Sequence, residues 1–291
     1  MKYDIRLQLE CAYRPPVAGG RHLVRVSPQS VGRFQRVVAS SVVFDPVPDE
    51  RTDGRDFFGN IVVSVSFSAP HAALKVGMSA RVRVDGPSDM LDVSPDAATL
   101  RRELAGVLSL APESPHHFTV GSPRVALDND ITVYAGESVP GSATVREIVR
   151  NLGKRIQRDF RYDSASTEVE TPPKEAFELR RGVCQDFTHI MIAGLRGIGI
   201  PAGYVSGFLR TIPPPGKQRP VGADAMHAWV RAWCGNQMGW VGYDPTNGTF
   251  AGEDHIVVAV GRDYGDVAPI AGILRTSGQQ RTSQAVDVVP V

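Results

Sequence analysis

The chain has 291 residues, 42% hydrophobic and 22% charged, enough apolar material for one large core or two ordinary domains, so wholesale disorder is excluded. A net charge of +1 supplies no strong overall field for nucleic acid or an anionic membrane, and neither is expected as a partner. Three distant cysteines, Cys11, Cys184 and Cys234, make a poor disulfide framework and fit a reducing compartment.

The opening residues, Met1 to Arg6, lack the apolar core of a signal peptide, and no stretch approaches membrane-spanning length. The expectation is a soluble, unexported, cytoplasmic protein. Tyr3, Ile5, Leu7, Leu9 and Cys11 then alternate with polar residues, as do Ile61, Val63, Val65 and Phe67, and Leu74, Val76, Met78, Ala80, Val82 and Val84. A period of two places such residues on one face of a half-buried strand. Turn residues at Pro15-Pro16, Gly19-Gly20, Pro46 to Asp56 and Gly59-Asn60 separate the strands. Residues 1 to about 87 therefore read as an antiparallel β-sandwich or barrel-like domain, with Cys11 as a small core residue.

A helix is expected over Pro95 to Leu110, followed by a connecting region to about Pro140. Dividing the chain between 115 and 116 separates this β-rich part and its connection from a second domain, 116–291, with a C-terminal tail. Ser142 or Thr144 can cap a helix whose apolar residues Val145, Ile148, Val149, Leu152, Ile156 and Phe160 carry helical spacing. A short helix is expected over Lys174 to Arg180, after Pro172-Pro173.

Residues 184–198 form the most informative helix. At about 100° per residue, Cys184 joins Phe187, Ile190, Met191, Gly194, Leu195 and Ile198 on one arc, opposite Gln185, His189 and Arg196. The thiol is thus placed on the buried face in the first helical turn, where unpaired N–H groups and partial positive charge favour an anion. His189 is expected at the surface or behind the site. Read alone, the helix suits a packed core cysteine as well as a nucleophile.

A pairing base should come from another element, because cysteine acyl-transfer sites converge in space and not in sequence. Residues 225–233 read as a strand carrying His227, and 239–246 as a second strand ending at Asp244-Pro245, seventeen positions beyond His227. A hairpin would let Asp244 orient the imidazole and favour its charged form. Each piece also has a bland reading: Asp before Pro suits a turn, and a strand histidine is commonly structural. Cys234 is expected to be structural, Gln185 and Asp186 to cap the helix, and Trp229 and Trp240 to be cleft wall or core. His22, His71, His116, His117 and His255 show no partner pattern. No zinc spacing, phosphate loop, GxGxxG or calcium loop occurs, so no metal, nucleotide or other cofactor is expected. The segment Thr211 to Asp224, rich in Pro and Gly with Lys217 and Arg219, reads as an exposed connection or a gate beside the site.

Four blocks in order resemble the transglutaminase-like superfamily, in particular its bacterial branch: Arg181 to Phe187, then Gly199-Ile200-Pro201 with Tyr204 to Gly207, then His227-Ala228-Trp229, then Trp240 to Asn247. The likeness extends to Gly261 to Tyr264 and, in the front part, to Asp56 to Asn60, covering nearly the whole chain. The resemblance implies an α+β protein: a β-rich N-terminal domain, then a papain-like core whose central helix begins at the cysteine and packs on an antiparallel sheet. Carried over residue by residue, it implies a triad of Cys184, His227 and Asp244 that forms a thioester on a protein or peptide substrate. Water would make the enzyme a peptide or amide hydrolase, the leading expectation. An amine acceptor would make it a γ-glutamyl transferase. A non-catalytic binding module is the reading from a different class.

Overall fold

The computed structural model describes residues 1–86, 91–211, 224–275 and 279–291. The front of the chain folds as β1 (Lys2–Val17), β2 (Gly20–Val24), β3 (Gln35–Asp45), β4 (Glu50–Arg55), β5 (Ile61–Phe67) and β6 (His71–Val84). Helices α1 (Ala97–Ala105), α2 (Asn129–Gly136) and α3 (Val145–Asp159) follow, then β7 (Arg161–Tyr162), α4 (Pro173–Leu179), β8 (Arg181–Gly182) and α5 (Cys184–Gly197). The remainder is β9 (Ala202–Leu209), β10 (Ala225–Trp233), α6 (Gly235–Met238), β11 (Trp240–Asp244), β12 (Thr249–Phe250), β13 (His255–Gly261), α7 (Tyr264–Val267), β14 (Ile270–Leu274) and β15 (Gln279–Pro290). The architecture is α+β with antiparallel sheets, as expected.

The period-two strands behave as their spacing predicts. Tyr3, Ile5, Leu7, Leu9, Cys11 and Tyr13 of β1 are buried, and Leu74 to Val84 of β6 alternate in phase with them across the ladder Leu7↔Met78. β1 runs past Pro15-Pro16 to Val17 instead of turning there, with an irregular register between Ala12 and Val17. Two four-stranded sheets result, β15-β1-β6-β3 and β14-β2-β5-β4. Strands β14 and β15, from the end of the chain, add to these two sheets beside β2 and β1. The tail therefore returns to the N-terminal β region.

Local sequence rules account for the helix boundaries. The Asp96 carboxylate accepts from Thr99 N–H to open α1, which ends at Gly106, short of the predicted Leu110. Thr144 and Glu147 form a capping box at α3. α4 starts at Pro173, where a missing N–H costs nothing, and stops at Arg180 with φ 54°.

The five-stranded sheet β12-β11-β10-β9-β13 carries α5, which packs against β9 and β10 on one side and α2 and α4 on others. Gly194 makes this close approach possible, because a Cβ there would stand 2.9 Å from that of Ala135 in α2. α5 is consequently buried all round. The expected polar face does not meet solvent: His189 is 1% and Arg196 3% exposed. Arg196 donates to the carbonyls of Val120, Ala202 and Arg262 and to Ser122 Oγ, which satisfies its guanidinium inside the protein. His189 Nε2 accepts from Tyr264 N–H, and burial pushes its imidazole down to about 4, so it is a neutral core residue and not a surface one. The surface placement that helical angle allowed for His189 does not hold, because the helix has neighbours on every side.

Strand β13 is an edge of this sheet, and edges leave backbone groups unpaired. Side-chain amides from the N-terminal region fill that role. Gln35 Oε1 accepts from Val257 N–H at 2.8 Å while its Nε2 donates to Val257 O at 2.7 Å. Asn60 does the same at Val260, with both bonds at 2.8 Å. Asn60 is held in turn by Asp56, which accepts from its backbone and side chain, in a tight turn that needs Gly59 at φ 81°.

Candidate active site

Cys184, His227 and Asp244 come from two strands of the five-stranded sheet and the helix it carries. Cys184 is the first residue of α5, His227 lies near the start of β10, and Asp244 ends β11. Ladder pairing of Val230 with Tyr243 and Trp233 with Trp240 turns a separation of seventeen residues into direct contact. His227 Nε2 lies 2.7 Å from Asp244 Oδ2. A carboxylate only accepts, so Nε2 carries the proton and Nδ1 is the nitrogen left for the Cys184 thiol, which lies close enough to raise the pKa of the same ring.

Asp244 is fully buried and held by several donors. Its Oδ1 accepts the N–H groups of Thr246 at 2.9 Å and Asn247 at 3.1 Å, and its Oδ2 accepts Asn247 Nδ2 at 2.7 Å. Burial alone would raise this carboxyl, but bonds from His227 and His255, the His227 charge and the Asn247 amide outweigh it and hold the group well below its ordinary 3.8. His227 shows the converse. Burial works against its charged form, yet the Asp244 and Cys184 hydrogen bonds and charges raise it to about 10. The Asp244 contact thus favours the charged form of His227.

The three cysteines differ sharply in environment. Cys11 and Cys234 are 0% exposed, whereas Cys184 is partly accessible. Burial pushes the Cys11 thiol up and the Cys234 thiol to about 12, which keeps both protonated and inert. Around Cys184 the chain is locally specialised. Asp186 turns back to accept Val183 N–H at 2.8 Å and Thr167 Oγ1 at 2.7 Å, and Gly182 is needed because a Cβ there would collide with that carboxylate. Gln185 Nε2 donates to Val169 O at 2.8 Å. Both residues therefore shape the helix start, as expected. Tyr162, more than half exposed, stands near the thiol, and its phenol is raised by burial and by the Cys184 charge.

Trp229 is buried with Val205 and Val260 and stands edge-on to His255, 5.2 Å between ring centroids. Trp240 donates to Glu113 O at 3.1 Å and lies under the Arg231 guanidinium. Two contributors were not legible in sequence: Asn247, inside a quoted block but given no role, and His255, whose Nε2 reaches Asp244 Oδ2 at 3.2 Å. His116 and His117 contact backbone carbonyls instead, and His22 is a buried histidine of the β region. Most of the Thr211 to Asp224 segment, 212–223, lies outside the described residues. Among the described residues, no group of three or more His, Cys, Asp or Glu side chains could hold a metal ion, and no helix is long and apolar enough to cross a membrane. A surface cleft of about 670 Å³ lined by Tyr134, Arg155, Asp159, Phe177 and Arg180 does not include Cys184. Arg155 there is ion-paired with Glu137 and Asp159, a structural network.

An uncharacterized protein of Mycobacterium tuberculosis H37Rv is 36% identical to this chain, covering 99% of it and 93% of the relative. One from Mycobacterium leprae is 32% identical over 95% of this chain and 94% of its own. The family model for the transglutaminase-like superfamily matches residues 133–245, which contain Cys184, His227 and Asp244, and the model for the bacterial transglutaminase-like N-terminal region matches residues 3–83. The chain belongs to the transglutaminase-like superfamily. The fold agrees with this membership. The crystal structure of a candidate cysteine protease from Cytophaga hutchinsonii superposes with a TM-score of 0.75 at 20% identity, covering 99% of this chain and 90% of that one. The transglutaminase-like core and the β-rich N-terminal region that the sequence resembled are therefore both present.

Proposed function

We propose that this transglutaminase-like protein is a cysteine-dependent acyl-transfer enzyme that cleaves peptide or amide bonds through a thioester on Cys184. The observation that carries the reading is the Asp244–His227 hydrogen bond, beside a partly exposed thiol at a helix start that raises the His227 pKa. In the first half-reaction the Cys184 sulfur attacks the carbonyl carbon while its proton resides on His227 Nδ1. The carbonyl electron pair moves to oxygen, and backbone N–H groups at the start of α5 face the developing negative charge. His227 then donates its proton to the departing nitrogen as the carbon–nitrogen bond breaks, leaving the acyl group on sulfur. In the second half, His227 removes a proton from water, whose oxygen takes the acyl group and releases a carboxylic acid and the thiol. Asp244 stays ionised throughout and orients the imidazole.

Water requires no dedicated acceptor pocket, which favours hydrolysis over isopeptide formation. Incubation with a glutamine-containing protein and a labelled primary amine discriminates the two. Ammonia release or peptide cleavage with little label incorporated is expected; incorporation exceeding hydrolysis would assign the enzyme as a transferase. Full activity in Cys184→Ala would remove Cys184 as the nucleophile, whereas failure of a thiol-directed electrophile to label Cys184 selectively would favour a binding module.

A further inference from the structure

His255 donates to the same carboxylate oxygen as His227, and the proposed chemistry does not use it. His255 Nε2 lies 3.2 Å from Asp244 Oδ2, and His227 Nε2 lies 2.7 Å from that oxygen. The tautomer follows from the opposite nitrogen. His255 Nδ1 accepts the Gly252 N–H at 3.2 Å, so in the neutral ring the proton sits on Nε2 and points at Asp244. The ring is buried and braced edge-on by Trp229. Its position is set from further away as well, because His255 is the first residue of β13, whose outer edge Gln35 and Asn60 clamp at Val257 and Val260.

We propose that His255 is a positioning residue that shares the Asp244 carboxylate with His227, and so limits how tightly His227 holds its proton, with the N-terminal β region fixing the strand that carries it. This rests on the Cys184–His227–Asp244 reading. Two N–H groups on one oxygen divide its charge, and each weakens the bond to the other. Without His255, Oδ2 keeps only His227 and the Asn247 amide, and the undivided charge binds the imidazolium more strongly. An imidazolium held too firmly is a poor acid for the departing amine. The charged and titratable groups facing this trio are Cys184 of α5, through His227 of β10, and Tyr243 of β11, whose phenol is raised by burial and by the Asp244 charge; Asp254, beside His255 in the chain, is engaged by Arg210 and Tyr3.

The test is histidine 15N–1H NMR on the whole protein, with His227 and His255 assigned by substitution. In the wild type, the neutral form of the His255 ring must carry its proton on Nε2; a proton on Nδ1 in that form overturns the proposal without any variant needing to fold. In His255→Phe, which fills the space without a donor, the His227 titration midpoint moves up by about 0.5–1 pH unit. In His255→Gln, whose amide restores an N–H donor, it stays near the wild-type value. A midpoint unchanged or lowered in the Phe variant overturns the sharing of Asp244. The underlying triad reading is judged separately by alkylation of wild-type protein: equal labelling of Cys184 and the buried cysteines would remove that reading while the NMR result stood.

Discussion

His227 and Asp244, on neighbouring strands of one sheet, meet at 2.7 Å between Nε2 and Oδ2, with Asp244 fully buried and His227 only 9% exposed. Two groups of opposite charge in that setting depend on each other, since removing either strands its partner in the interior. The same contact dictates which imidazole nitrogen faces Cys184. The behaviour of the whole site under substitution and pH follows from it.

Thiol reactivity should be confined to one residue. Cys11 and Cys234 are buried and held protonated, whereas Cys184 is accessible and adjoins an imidazolium. Iodoacetamide at neutral pH is expected to label Cys184 at least about ten times faster than either other cysteine, followed by peptide mass mapping. Comparable rates at all three would contradict the assignment.

Asp244→Asn removes the carboxylate that orients and charges His227. Turnover is expected to fall by roughly 10³–10⁴-fold, the scale seen when an orienting carboxylate is neutralised in such relays. The alkaline limb of the pH–rate profile, governed by His227 near 10 in the wild type, should move to lower pH. A limb that stays in place would mean that Asp244 does not sustain the imidazolium.

The same group predicts a pH dependence of stability. His227 is raised from 6.5 to about 10 on folding, so its contribution is fully present below pH 6.5 and is lost as pH rises through about 10. Asp244 is depressed, so its contribution is present above its ordinary 3.8 and disappears only as pH falls toward its much lower folded value. The difference in Tm between wild type and His227→Gln should therefore shrink as pH rises from 6.5 toward 10. A difference that grows over that window would be the wrong sign.

The edge clamp has a measurable energy. Gln35→Leu removes the bonds to Val257 N–H and Val257 O and the bond to Gln29 O, so Val257 N–H and the buried Gln29 O lose the side-chain partner while Val257 O keeps only the longer bond from Gln29 N–H. A loss of about 2–3 kcal/mol is expected in urea unfolding. An unchanged midpoint would show that water or a relaxed strand replaces the side chain.

The β-strands and the pairing of His227 with Asp244 were legible because their signals are local or fall in recognisable blocks. Period-two burial in β1 and β6, the Thr144 cap and the Cys184 helix start all depend on near neighbours in the chain. What escaped depends on tertiary packing. Strands and helices surround α5, which buried the face opposite Cys184 and ruled out the surface alternative for His189. His255 had no readable partner because its contact to Asp244 spans strands β11 and β13, which are not adjacent in the sheet. The return of β14 and β15 to the first two sheets is likewise a pairing between opposite ends of the chain, which no local pattern announces.

The most direct test of the central claim is acyl-enzyme capture. The protein is mixed with an activated acyl ester, quenched in acid within seconds and mapped by mass spectrometry, in parallel with Cys184→Ala. The account predicts a single acyl adduct on the peptide containing Cys184, absent from the variant. An adduct on another residue, or equal acylation of the variant, would contradict it.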